Sequence, residues 1–186
     1  MVERGVMNVL VSNEVIGAPK LARLAVLARR ARVSVCGDDE QNIADIDAAA
    51  RAAGVKIDVL VEVNVGANRC GVEPGQPVVN LAQRIATAKH LRFAGLHAYQ
   101  GAAQHARTPA ERKAAIVKSV QSVRVTIDAL HEHGLKPEFV TGAGTGTSLL
   151  ETGRGVYNAI PPASHILRDQ AYTPQPAPAR SPAHHS

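Results

Sequence analysis

Short runs of β-branched residues alternate with longer stretches of helical period along most of this chain, and that alternation limits the fold more than any other feature. Asn8 to Val11 (NVLV) reads as a first strand. Pro19 to Arg32 follows as a helix, with Leu21, Leu24, Ala28 and Ala31 on one face. Arg32 to Cys36 is the next strand. Asp38 is read as the cap of a helix running to Ala53, with Gln41 as its capping-box partner and Ile43, Ile46 and Ala50 on the buried side. Ile57 to Val65 (IDVLVEVNV) is the clearest strand, and Pro77 to Ala88 the next helix, turned inward through Val78, Leu81 and Ile85. Leu91 to Tyr99 returns as a strand. The helix after it is punctuated by Thr108 as N-cap, Pro109, Glu111 and a closing Gly134, with Ile116, Val120, Val123, Ile127 and Leu130 as its stripe. Glu138 to Thr141 is a further strand, and a weaker apolar run lies within Tyr157 to Leu167. About five or six strands separated by helices predict an α/β chain with a parallel sheet, either doubly wound or part of a (β/α) TIM-type barrel. A complete barrel takes about 250 residues, more than the 186 here.

Composition excludes several classes. The chain carries 21 Lys and Arg against 16 Asp and Glu, a formal charge of +5. Yet it has no Trp, three Tyr and two Phe to stack on bases, so no nucleic-acid partner is expected. Arg29, Arg30 and Arg32 cluster where a helix end would favour cations. No run approaches the roughly 18 apolar residues of a membrane span. Met1 to Leu10, with Glu3 and Arg4, lacks the core of a secretion signal. Cys36 and Cys70 lack disulfide or CxxC spacing and read as reduced thiols of a cytoplasmic protein. Thr173 to Ser186 holds four of the eleven prolines and no aliphatic residue larger than alanine. It is expected to be a disordered tail behind a barrel part spanning residues 1–172.

Ligands in parallel α/β folds bind beyond the carboxyl ends of the strands. Those positions hold Ser12 and Asn13; Asn64, Gly66 and Arg69; His97, Tyr99 and Gln100; and the run Thr141-Gly142-Ala143-Gly144-Thr145-Gly146-Thr147. The glycines of that run let backbone N–H groups converge on an anion, and its threonines add donors. The run is neither a dinucleotide fingerprint nor a P-loop, since Thr147 stands where the third glycine belongs and no Gly-Lys-Ser/Thr occurs. Arg69 is suited to an anionic or phenolate oxygen. Tyr99 is suited to proton transfer or to a ring wall, or equally to a core edge. The eight histidines show no metal-ligand spacing, although His97 and His105 flank the Tyr99 loop.

Taken in order, VSNEVIGAPKLARLAVLARRARVSVC, DVLVEVNVGANRCGV, FAGLHAYQGAAQH, TPAERKAAI and VTGAGTGT, followed by GVYN, resemble the D-threonine aldolases and the related D-serine dehydratases. The likeness runs from about Asn8 to Tyr157 and implies an alanine-racemase-type barrel binding pyridoxal 5'-phosphate (PLP) at its carboxyl face. It implies Arg69 at the cofactor's phenolic oxygen, Tyr99 beside the ring as cofactor contact and catalytic group, and Thr141, Gly142, Gly144, Thr145 and Gly146 at the phosphate, with Tyr157 nearby. The family reaction is retro-aldol cleavage of β-hydroxy-D-amino acids to glycine and an aldehyde. A divalent metal assists it, held by a separate C-terminal β domain for which no ligands are seen here. The first barrel strands and their Schiff-base lysine are also expected to be missing: Lys20, Lys56, Lys89, Lys113, Lys118 and Lys136 all fall on helices, in loops or at the wrong strand end. The resemblance therefore implies a partial barrel, an inactive fragment or a non-catalytic PLP or phosphate binder. Its open edges would pair in a homodimer or with another polypeptide.

Overall fold

The computed structural model describes residues 1–106, 108–142 and 155–159. Five strands, β1 (Asn8–Glu14), β2 (Arg32–Gly37), β3 (Ile57–Glu62), β4 (Leu91–His97) and β5 (Phe139–Thr141), lie parallel in their chain order. The helices α1 (Ala18–Leu27), α2 (Glu40–Ala53), α3 (Gln76–Thr87) and α4 (Pro109–Glu132) form the crossovers. Sequential order with a helix after each strand is barrel winding rather than the reversed order of a doubly wound sheet. The five strands make a curled half-barrel.

Period two along each strand divides its side chains between helix face and barrel interior. Val33, Val35, Val59, Val61 and Val63 join Leu21, Leu24, Ile43, Ile46, Val78, Leu81, Ile85, Ile116 and Leu130 in one buried core. The alternate positions Arg32, Ser34 and Cys36 on β2, and Asp58, Leu60 and Glu62 on β3, line the concave side. At its amino end Asp58 accepts from Arg32 Nε at 2.7 Å and from Arg92 Nε at 2.7 Å. Arg32 also holds Glu138 through two hydrogen bonds of 2.9 and 2.6 Å.

Two irregularities in the ladder matter for the opposite end. Val11 pairs with Val35 but Glu14 with Cys36, so two extra residues bring Glu14 rather than Ser12 beside β2's last inward side chain. On β4 one extra residue between the partners of Val59 and Leu60 makes His97, not Leu96, the partner of Glu62. Such bulges re-aim side chains that strict alternation would send elsewhere.

Most expected elements are present, with informative differences. Helix α1 stops at Leu27, because Arg30 and Ala31 already bond to the Leu27 carbonyl in a tight turn. Arg32 is accordingly the first residue of β2, paired with carboxylates instead of a helix end. Arg29 does sit at a helix end, donating to the Ala53 carbonyl of α2 at 3.2 Å. The cap of α2 is Asp39, whose carboxylate accepts from the Asn42 N–H at 2.9 Å. Asp38 instead accepts from the Gly71 N–H at 2.8 Å, tying β2 to the loop after β3. Gln41 bonds Asp45 rather than completing a capping box. The expected N-cap of α4 is Thr108, and with Glu111 it forms a complete capping box that was not expected, each residue capping the other. The expected run of Tyr157 to Leu167 is described only as far as Ala159, which bridges to Thr141. Residues 173–186 lie outside the described residues.

Candidate functional site

The carboxyl ends of the strands gather the polar residues anticipated there, and the loop after β3 is tied together by its own hydrogen bonds. Val63 pairs with Val72, and the Asn64 N–H donates to the Val72 carbonyl at 2.8 Å, closing residues 64–72 into a narrow excursion. Asn64 organises its interior: its Oδ1 accepts from the Gly66 and Asn68 N–H groups, both at 3.1 Å, and its Nδ2 donates to Asn68 and Glu73. Gly66 and Gly71 both have left-handed φ, and a Cβ on either would come within 2.7 Å of a neighbour. The loop therefore tolerates one path, and Arg69 projects from it with its side chain exposed. Gln100 braces the loop from β4's side, donating to the Val65 carbonyl at 3.0 Å.

Arg69 lies in an acidic and thiol-rich neighbourhood. Its guanidinium is held above the usual arginine range by a hydrogen bond with Cys70 and by the charges of Glu62 and Glu14. Burial pushes the Cys70 thiol up; the Arg69 bond opposes this, and Glu62 and Glu14 reinforce it. Cys36 is fully buried, so desolvation, reinforced by Glu62 and Glu14, pushes its thiol far above the ordinary value. Between these groups Glu62 is 4% exposed, with Oε2 2.5 Å from His97 Nδ1 and Oε1 accepting from Cys70 Sγ at 3.8 Å.

Tyr99 continues β4 with its ring 6.4 Å from that of His97 and tilted by 41°. On β5, Thr141 is buried and its carbonyl accepts from the Ala98 N–H at 2.7 Å. A Cβ at Gly142 would lie 2.2 Å from the Ala98 carbonyl oxygen, so the first glycine of the run is demanded by the approach of two strand ends, whatever else it does. Tyr157 is buried between β4 and α4, its hydroxyl 3.2 Å from Ser119 Oγ and 3.5 Å from the Ala98 carbonyl oxygen. Gly144, Thr145 and Gly146 lie outside the described residues, and so does the side chain of His105.

The model of the alanine racemase N-terminal domain matches residues 11–160. The chain belongs to this family. Among curated relatives, it is 44% identical over 169 residues to 3-hydroxy-D-aspartate aldolase of Paracoccus denitrificans (strain Pd 1222), covering 90% of this chain and 44% of that protein. It is 39% identical over 171 residues to D-threonine aldolase of Arthrobacter sp, covering 92% and 45%. The crystal structure of D-threonine aldolase from Filomicrobium marinum superposes with a TM-score of 0.89 at 50% identity, over 92% of this chain and 47% of that one. The chain thus spans about half the length of the relatives it matches, as the family resemblance in the sequence led one to expect.

The strand-end reading named Asn64, Arg69, His97, Tyr99, Gln100 and Thr141, and the structure puts them at the carboxyl ends of β3, β4 and β5. It did not name Glu14, Cys36 and Glu62, which meet His97 or Cys70 there, or Asp38, which holds the loop. Cys36 and Glu62 look like interior strand residues, and Glu14 enters the group only through the β1 irregularity. One signal was legible: a glutamate within the apolar run IDVLVEVNV has no place on a core strand unless a partner awaits it.

Proposed function

We propose that this chain forms the cofactor-facing arc of a PLP-dependent aldolase acting on β-hydroxy-D-amino acids, and that the chain by itself binds the cofactor without turning over. The observation that carries the reading is the Arg69 loop, pinned by Asn64 and Gln100 at the carboxyl rim of a half-barrel of this family. A guanidinium held charged there suits the phenolic oxygen of PLP, which it can bond without giving up a proton. Tyr99, on the adjoining strand, supplies a ring wall and a hydroxyl near the reacting atoms. Thr141 and Gly142, with Gly144, Thr145 and Gly146 beyond them, supply donors for the phosphate. Tyr157 borders that end through the Ala98 carbonyl.

When bound, PLP acts as an electron sink for a substrate carbanion. The residues present fit a non-covalently held cofactor and do not fit an imine to the protein. Lys20, Lys113 and Lys118 stand on helices, Lys89 follows α3, and Lys56 and Lys136 precede β3 and β5 at the amino face. No catalytic step is therefore assigned through the cofactor. In this reading residues 1–172 are the barrel part of a cytoplasmic enzyme and 173–186 a tail. The outer strands β1 and β5 would pair with further polypeptide, either a second copy or another chain.

Titration of the purified chain with PLP tests the reading. Saturable, dialysable binding is expected, weakened about 10–100-fold by Arg69→Ala, the loss of one charged hydrogen bond. Borohydride reduction is expected to leave no stoichiometric lysine adduct. D-threonine and 3-hydroxy-D-aspartate, supplied with PLP and Mn2+, are expected to release neither acetaldehyde nor glyoxylate. Absence of any PLP binding by the folded chain refutes the assignment, and turnover refutes the inactivity.

A further inference from the structure

Below the rim, inside the curl of the sheet, five metal-ligating side chains converge from four strands and one loop. Cys36 from β2, Glu62 from β3 and His97 from β4 place one ligand atom each within 4.8 Å of the others, and all three residues are buried. Glu14 from β1 and Cys70 from the loop after β3 do the same around Glu62. A barrel interior filled only for packing uses branched aliphatic side chains at such positions. The group is instead assembled by the two ladder irregularities, which put Glu14 beside Cys36 and His97 beside Glu62 where regular pairing would put Ser12 and Leu96.

The cluster does not satisfy itself. His97 is 4% exposed, and its Nδ1, although 2.5 Å from Glu62 Oε2, lacks the alignment of a hydrogen bond and has no hydrogen-bond partner among the described residues. Glu14 Oε1 is likewise buried without a partner among the described residues. Buried polar atoms left this way are costly because they have given up water without replacing it, and an ion among them removes the deficit.

We propose that Cys36, Glu62 and His97 bind a borderline-soft divalent transition metal of the Zn2+ class, with the fourth position facing Glu14 and Cys70. The donor set of one thiolate, one imidazole and one carboxylate selects such an ion over Mg2+ or Ca2+, which prefer oxygen alone. Zn–ligand lengths of about 2.0–2.3 Å set ligand atoms about 3.3–3.8 Å apart. The cluster reaches this if the Glu62–His97 contact opens by about 1 Å. Metal entry displaces the Cys36 thiol proton to solvent, replaces the Glu62–His97 contact by bonds to the ion and leaves every other covalent bond unchanged. The inference does not depend on the cofactor reading, because the ligands lie on strands and the metal is tested without PLP.

Co2+ is the probe, added to the reduced full chain. Saturable 1:1 binding is expected, with intense thiolate-to-cobalt charge-transfer absorption and the d–d bands of tetrahedral coordination. Cys36→Ser and His97→Gln, each checked for folding by circular dichroism, are expected to weaken binding by at least the roughly 10–100-fold that even an outer partner of a ligand carries. The double variant His184→Gln/His185→Gln, in the tail, is expected to bind as the parent does. As a readout on the unmutated protein, Zn2+ is expected to protect Cys36 from alkylation in mild denaturant. A folded chain that shows no charge-transfer band overturns the proposal. So does a band that survives Cys36→Ser, or alkylation that Zn2+ leaves unchanged.

Discussion

Replacing Gly95 by alanine tests the close approach of β4 and β5 on which the phosphate end of the rim depends. Gly95 has φ +145°, and a Cβ there would stand 1.8 Å from the Phe139 carbonyl oxygen, with Phe139 C and N at 2.8 and 2.9 Å. Comfortable contact begins near about 3.5 Å, so β5 must withdraw by roughly 1.7 Å. Beyond the ladder itself, two hydrogen bonds flank this point, Glu138 N–H to the Ala94 carbonyl at 3.0 Å and Ala98 N–H to the Thr141 carbonyl at 2.7 Å. Losing both removes about 1 kcal/mol apiece. The disfavoured backbone adds about 1–3 kcal/mol, which gives a loss of about 3–5 kcal/mol. For a domain stable by about 5–15 kcal/mol this is a large share. Gly54 provides the control. It caps α2 with φ +68° and nothing lies within 4 Å of a Cβ there, so Gly54→Ala should cost only the left-handed backbone, about 1–2 kcal/mol. Urea unfolding followed by far-ultraviolet circular dichroism compares the two variants. Equal losses would refute the steric reasoning and with it the need for glycine at the β4–β5 contact.

Three further outcomes follow from the same geometry. Burial pushes the Asp58 carboxyl up, but the hydrogen bonds from Arg92 and Arg32 outweigh it and hold it below the ordinary value; Glu138 is lowered first by its bonds to Arg32. Such carboxyls contribute stability that is present above their unfolded pKa, near about 4, and is lost as pH falls through the native one. The urea midpoint should therefore drop as pH falls from about 5 to below about 4, with a flatter profile in Asp58→Asn; parallel profiles would show that this ion-pair group is not the cause. The half-buried Cys70 should react with a thiol reagent before the fully buried Cys36, which should react only on unfolding; equal rates in the native protein would contradict the burial pattern. Thr108→Ala should destabilise by about 1 kcal/mol and Thr108→Ser by much less, since the serine hydroxyl still accepts from the Glu111 N–H; equal midpoints for the two variants would mean that the capping box contributes nothing.

Much of this protein was readable from local pattern. The alternation of periods set the element order, the stripes Ile43–Ile46–Ala50 and Val78–Leu81–Ile85 marked the buried helix faces, and the signals around Thr108 placed the start of the longest helix. The position of Thr141 at a strand end, and of Arg69 and Tyr99 past one, followed from the parallel topology that the alternation implies. These inferences succeed because helix capping and amphipathic burial depend on residues a few places apart. They are weaker at boundaries. Asp38 and Asp39 are equally good caps by type, and what separates them is that the Gly71 N–H, 33 residues away, claims the Asp38 carboxylate.

What tertiary structure alone decided is the interior of the curl. By sequence, Glu14, Cys36, Glu62, Cys70 and His97 are five scattered residues with no ligand spacing. They meet because neighbouring strands pair in one register and because two irregularities shift that register by one or two residues. Register is a property of two strands together, set by how their buried faces and bulges match. The periodicity of either strand alone therefore determines that a residue faces the core or the barrel, and only the pairing determines which residue it faces there.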